Sequence, residues 1–281
     1  MRIDSHQHFW RYSAAEYPWI AAGMERLARD WLPGDLAAVA AAEGIGGTIA
    51  VQARQSVEES RWLLALADAH PLVAGVVGWV DLQSEAVAES LASLSAHPKF
   101  VGVRHVVQDE PDDRFLLGAA FVRGIQQLRH FGLVYDLLLY PRQLSAAVEL
   151  VARLPDQPFV LDHLAKPGIK AGAMQPWRAD IERLATHPHV SCKISGLVTE
   201  AAWRGWKRSD FTPYLEVVLD AFGPKRLLFG SDWPVCLLAA DYADVAGIAH
   251  DFLVRLSGPE QDAVWSGNAT DIYGLNSRHT P

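Results

Sequence analysis

The chain has 281 residues, half of them hydrophobic, with a net charge of -8; this suffices for a large core and excludes a disordered chain. The basic residues are scattered rather than gathered into the positive stripe of a nucleic-acid binder, so nucleic acid is not an expected partner. Apolar runs break off before the roughly 18 to 20 residues that a membrane-spanning helix needs, so no membrane partner is expected either.

From the N-terminus, the opening MRIDSHQHFW lacks the basic and long apolar segments of a signal peptide, and a cytoplasmic protein is expected. Short β-rich runs then alternate with longer amphipathic stretches, at 3–6, 48–53, 74–80, 100–106, 133–139, 159–164, 190–194 and 227–230. That is the pattern of parallel strands joined by crossover helices. Eight such units predict an α/β fold, a closed (β/α)8 TIM barrel, over 1–281 as a single domain. Between the first strand and a helix starting near Pro33 lies an aromatic loop at 9–32, with Trp10, Tyr12, Tyr17, Trp19 and Trp31. Loops of this length are often functional lids; a buried aromatic cap over the barrel mouth is the equal alternative.

Further along, 58–69 carries Trp62, Leu63, Leu66 and Ala67 on one helical face, and 144–154 carries Leu144, Val148, Val151 and Ala152. Those faces are expected against the barrel wall. Pro or Gly precedes many strands, as in AHPKF, LPDQPF, HPHV and FGPKR, and these are helix stop signals. Cys192 and Cys236 form neither a disulfide framework nor a thiolate cluster, and read as buried small apolar residues.

In such barrels chemistry sits at the C-terminal ends of the strands. The first strand ends in His6-Gln7-His8, and alternation puts both imidazoles on one face. Taken alone the pair is weak evidence, because two His one residue apart recur by chance. The sixth run continues Leu161-Asp162-His163-Leu164-Ala165-Lys166, where His163 shares parity with Phe159 and Leu161. The eighth gives Leu227-Leu228-Phe229-Gly230-Ser231-Asp232-Trp233-Pro234; Gly230 permits close backbone approach, and Asp232 can accept a proton from water or cap a helix.

The chain resembles the amidohydrolases at this point: His6 and His8 on the first strand, His163 on the sixth and Asp232 on the eighth match that superfamily's signature. The fragments SHQHFW, VQARQS, GVVGWVDL, GVRHVVQDE, LDHLAKP, CKISGL and FGSDWPVC resemble its sugar-lactonase branch, which contains L-fuconolactone and L-rhamnonolactone hydrolases, over nearly the whole length. The resemblance implies an amidohydrolase-type barrel that opens a small-molecule sugar lactone. Two departures matter. Binuclear members carry Lys or Glu on strand 4, where this chain has Arg104 and His105, and a His on strand 5, where 133–140 has none. A two-metal site is therefore not expected. His6, His8 and Asp232, with His163 as a further candidate, are expected to hold at most one divalent ion, zinc first, and the branch includes lactonases that need no metal.

Hydrolysis requires a base, a donor for the developing oxyanion and a proton for the alkoxide. Asp232 is the expected base, with His6, His8 and His163 orienting the carbonyl or sharing the ion. Arg54, Arg104, His105, Lys166 and Lys193 lie at or past strand ends and are candidate substrate contacts. Lys193 and Arg104 sit within apolar runs, where an unpartnered charge is costly. Trp79 and Trp233 are candidates for stacking on a sugar. A metal-dependent decarboxylase or hydratase of the same superfamily and a non-catalytic binding barrel are the rival readings, and the oligomeric state is open.

Overall fold

The eight β-rich runs become eight parallel strands in sequential order around one sheet: β1 (Arg2–Gln7), β2 (Ile45–Val51), β3 (Val73–Gly78), β4 (Phe100–Val106), β5 (Val134–Leu138), β6 (Phe159–Leu161), β7 (Val190–Ile194) and β8 (Leu227–Phe229). The computed structural model describes residues 1–276. The sheet curls back on itself. Ser5 Oγ donates to the Phe229 carbonyl at 2.6 Å, Asp232 N to the His6 carbonyl at 2.8 Å and His8 N to the Trp233 carbonyl at 2.7 Å.

Strands of a parallel barrel are covered on both sides, which is why they read as nearly continuous Val, Ile and Leu. Alternation splits most of those side chains into two sets, although β4 departs from it between Val101 and Val103. Ile3, Ile49, Val51, Val77, Val101, Val134, Val160 and Leu228 fill the interior together with Tyr273. Phe100, Val103, Leu137, Phe159 and Leu161 instead join the larger core with the helices.

Those helices include α1 (Pro33–Ala42), α2 (Val57–Ala69), α3 (Val87–Ser95), α4 (Ala119–Leu128), α5 (Leu144–Arg153), α6 (Trp177–Ala185), α7 (Leu197–Glu200), α8 (Arg208–Phe222) and α9 (Tyr242–Leu253). Ser56 caps α2, accepting the Glu59 N–H. The stripe that α2 buries is Glu59, Ser60, Leu63, Leu64 and Ala67, with Trp62 and Leu66 half-buried. On α5 it is Leu144, Ala147, Leu150 and Val151, while Ala152 is exposed. The expected α5 face is thus rotated by about one position, because Leu150 has more apolar surface to hide than Ala152.

The aromatic loop is anchored by a two-way backbone pair between Trp10 and Trp31 at 3.0 and 2.9 Å. Phe9, Trp10, Tyr17, Leu27 and Trp31 are buried, and Trp19 meets Trp10 edge-on with ring centres 5.5 Å apart. Cys192 and Cys236 are both buried free thiols. Among the described residues no helix is long and apolar enough to cross a membrane.

Candidate active site

A cavity of about 1020 Å³ opens where the strands end. His8, Arg104, His163 and Asp232 line it from the barrel, and Glu16, Trp19, Arg54, Tyr140, Lys166, Glu200 and Trp203 line it from the surrounding loops and α7. The aromatic loop therefore contributes Glu16 and Trp19 to the cavity wall.

β1 delivers His6 and His8. Their Nε2 atoms lie 3.2 Å apart, and Asp232 Oδ1 lies 3.4 Å from His8 Nε2, 3.9 Å from His6 Nε2 and 3.8 Å from His163 Nε2. Gly230 lets β8 approach this closely, since a Cβ there would sit 2.7 Å from the His6 Cβ. Asp232 itself adopts a left-handed backbone, φ 57°. His8 Nδ1 faces the Val51 carbonyl at 2.8 Å, so that nitrogen carries a hydrogen. Arg104 Nη1 donates to His6 Nε2 at 3.2 Å, making that atom an acceptor. Two imidazole nitrogens and a carboxylate oxygen thus converge within 3.9 Å of one another.

Behind His6 lies a fully buried charge network. Lys193 Nζ is 2.5 Å from Asp136 Oδ2, 2.9 Å from Asp162 Oδ1 and 3.2 Å from His6 Nδ1. Arg104 bridges Asp162 at 3.0 Å and Gln52, whose carbonyl and Oε1 it meets at 2.5 and 2.9 Å. Tyr273 reaches up the barrel and donates its hydroxyl to Asp136 at 2.9 Å. Burial pushes the Asp136 carboxyl up to about 6, with Lys193 opposing the rise. Burial likewise works against ionised Asp162, but Lys193, His6 and Arg104 outweigh it and hold that carboxyl well below the usual range.

β6 stops at Leu161, short of the expected 164, because the backbone turns left-handed. His163, Leu164, Ala165 and Lys166 have φ of 53°, 54°, 57° and 51°; each such non-glycine residue costs about 1–2 kcal/mol. His163 Nδ1 meets Ser195 Oγ at 2.8 Å. Gly196, at φ 65°, makes room for the ring, since a Cβ there would lie 2.6 Å from Nδ1. Burial lowers the His163 pKa to about 4 and lowers that of His6 well below its usual value, so both imidazoles are neutral near pH 7. Burial also opposes ionised Asp232, but His163, His8 and His6 outweigh it and keep the carboxyl below the ordinary carboxylate range.

The structure thus brings together His6, His8, His163, Asp232 and Arg104, with Arg54 and Lys166 on the walls. Arg54 is tied to Glu16 at 2.6 Å, and Lys166 lies 3.9 Å from Glu200. Four expected substrate contacts stand elsewhere. His105 alternates with Arg104 and so faces out of the barrel, meeting Glu110 at 2.8 Å and stacking on Phe115. Trp79 donates its indole N–H to His105 at 3.3 Å. Trp233 is buried against Phe9 and Trp31. Lys193 lies beneath His6, consumed by its two carboxylates. The residues that sequence reasoning missed are Asp136, Asp162, Ser195, Glu16 and Glu200. Asp136 had a signal, a carboxylate inside the apolar run LVYDLLL: the argument that Lys193 needs a buried partner applies to it equally.

Residues 3–275 match the amidohydrolase family model. Two proteins named L-fucono-1,5-lactonase are similar to the chain. One, from Burkholderia multivorans, is 48% identical over 98% of this chain and 96% of that protein; the other, from Burkholderia ambifaria, is 38% identical over the same shares. A crystal structure of an amidohydrolase from Burkholderia multivorans with bound zinc superposes with a TM-score of 0.94 at 48% identity, covering 98% of this chain and 99% of that one. The chain belongs to the amidohydrolase family.

Proposed function

We propose that the protein hydrolyses a neutral sugar lactone, L-fuconolactone or a close relative, to the aldonic acid, with Asp232 as the general base. The observation that carries this reading is the Asp232 carboxylate, within 3.9 Å of the His6, His8 and His163 imidazoles, at the floor of a cavity whose walls mix carboxylates, cations and indoles. The names of the two Burkholderia relatives support it. Asp232 takes a proton from water as the water oxygen attacks the lactone carbonyl carbon. His163 and Lys166 are the donors on the cavity wall available to the carbonyl oxygen as it gains charge. Collapse of the tetrahedral intermediate breaks the ring C–O bond, and the proton returns to the departing alkoxide.

His6 Nε2, His8 Nε2 and Asp232 Oδ1 also fit a single divalent ion. Zinc with bonds of about 2.0–2.1 Å in tetrahedral geometry sets its ligand atoms about 3.3 Å apart, and the three separations here are 3.2, 3.4 and 3.9 Å. A bound ion would polarise the carbonyl or its water. The Arg104 guanidinium, already on His6 Nε2, competes for the same lone pair, so we expect the ion to be weakly held and dispensable. The second triad, His6, Asp162 and His163, has its need for positive charge met by Lys193 and Arg104.

Arg54 and Lys166 are each beside a carboxylate, so the walls offer no surplus of positive charge for an anionic substrate. The test is acid release, followed with a pH indicator, from L-fucono-, L-rhamnono- and D-galactonolactone and from a carboxylated lactone. Turnover of the neutral sugar lactones is expected; no turnover of any of them would sink the reading in favour of a decarboxylase or hydratase.

A further inference from the structure

Four consecutive non-glycine residues, His163 to Lys166, hold left-handed backbone angles, a conformation that L-residues adopt singly rather than in runs. The turn is useful because it sorts side chains. Leu164 and Ala165 go into the core, while His163 and Lys166, three positions apart, both line the cavity. An extended continuation of β6 would instead send positions 163 and 166 to opposite faces. Something outside the cavity must hold the turn against its own backbone preference. Lys166 N donates to the His163 carbonyl at 2.7 Å, closing it from within. From outside, the indole N–H of Trp177, in the first turn of α6, donates to the Leu164 carbonyl at 2.6 Å. Trp177 is buried, lies outside the cavity lining, and stacks edge-on against Tyr214, whose hydroxyl reaches the Ala173 carbonyl at 3.2 Å and so braces the loop that follows.

The geometry points to Trp177 as a positioning residue: its single hydrogen bond to the Leu164 carbonyl locks the left-handed turn that delivers His163 and Lys166 to one wall of the cavity. The kinetic consequence rests on the lactone-hydrolase reading; the backbone consequence does not. Trp177→Phe keeps a ring against Tyr214 and removes the N–H. Ala165→Gly, at φ 57°, introduces a residue that occupies this region without steric cost.

The experiment compares wild type, Trp177→Phe and Trp177→Phe/Ala165→Gly by steady-state lactone hydrolysis and by amide hydrogen exchange across 163–166. In the single variant the Lys166 amide is expected to exchange faster and kcat to fall about tenfold or more, with KM changed less, as for displaced catalytic groups. The double variant is expected to recover most of both. A side chain that merely fills core would lower Tm while leaving exchange at the turn and kcat in place, and kcat within about twofold of wild type with unchanged exchange overturns the proposal. Should the single variant fail to fold, a folded, active double variant supports the proposal, and failure of both overturns it. If wild type opens no lactone, the hydrolase reading fails and the exchange comparison alone decides for or against the Trp177 lock.

Discussion

Replacing Lys193 by Met removes the ammonium from the buried network while keeping a long apolar side chain. Lys193 is fully buried and touches Asp136, Asp162 and His6 at 2.5, 2.9 and 3.2 Å. Without it Asp162 keeps Arg104, but among the described residues Asp136 keeps only the Tyr273 hydroxyl. Breaking a buried ion pair from one side costs about 3–5 kcal/mol, a large share of a total stability of about 5–15 kcal/mol. The loss must also depend on pH. In the wild type, burial raises the Asp136 carboxyl to about 6 and Lys193 pulls it down; without that pull it rises further. A carboxyl raised above its unfolded value of about 3.9 binds more protons in the folded state, so its contribution to stability falls as pH climbs from about 4 through the folded value. Urea unfolding should therefore show a larger deficit for Lys193→Met at pH 8 than at pH 5. Adding Asp136→Asn should recover part of it, chiefly at pH 8. A wild-type urea midpoint, or a deficit greater at pH 5, would show that Lys193 does not neutralise Asp136 in the folded protein.

Two further outcomes follow from the same geometry. Because Asp232 is held below the carboxylate range and His163 is lowered to about 4, the ionised base and neutral imidazole are lost only as pH falls through those values; kcat/KM should be flat from pH 8 to about 5, and an inflection near the ordinary His value of about 6.5 would contradict this. Gly196→Ala places a methyl 2.6 Å from His163 Nδ1 at φ 65°, and should cost about 1–2 kcal/mol from the backbone alone, lowering both Tm and kcat; unchanged turnover would show that the ring has room to move.

Much of this site was legible because barrel geometry converts a position along a strand into a position in space. His6, His8 and Asp232 stand at or just past strand ends; the run Leu227-Leu228-Phe229 announces the end of β8, whereas β1 has only Ile3. Arg104 and Lys193 also betrayed themselves as charges inside apolar runs, but a single run does not reveal the partner: Asp136 and Asp162 sit 57 and 31 residues before Lys193 in the sequence and meet it only through barrel closure. His163 was found on the wrong grounds. Its strand parity with Leu161 has no meaning once β6 ends at Leu161, and the left-handed turn that places it has no sequence signature, since none of its four residues is glycine. For His105 and Trp79, adjacency to a strand end concealed that alternation turns His105 outward. Glu16 and Glu200 were invisible because they reach the cavity from a loop and a short helix, where no periodicity dictates direction.

On the proposed mechanism, Asp232 activates water for lactone opening without depending on a metal ion. Initial rates of L-fucono-1,5-lactone hydrolysis by wild type and Asp232→Asn, each with and without prior chelation, test it directly. Asn keeps the shape and loses the base, and a general base contributes about 10²–10⁴-fold. Chelated wild type is expected to retain its rate, and Asp232→Asn to fall by about that factor at similar KM with an unchanged circular dichroism spectrum. Loss of wild-type activity on chelation, restored by zinc, would contradict this mechanism and make His6, His8 and Asp232 obligatory metal ligands.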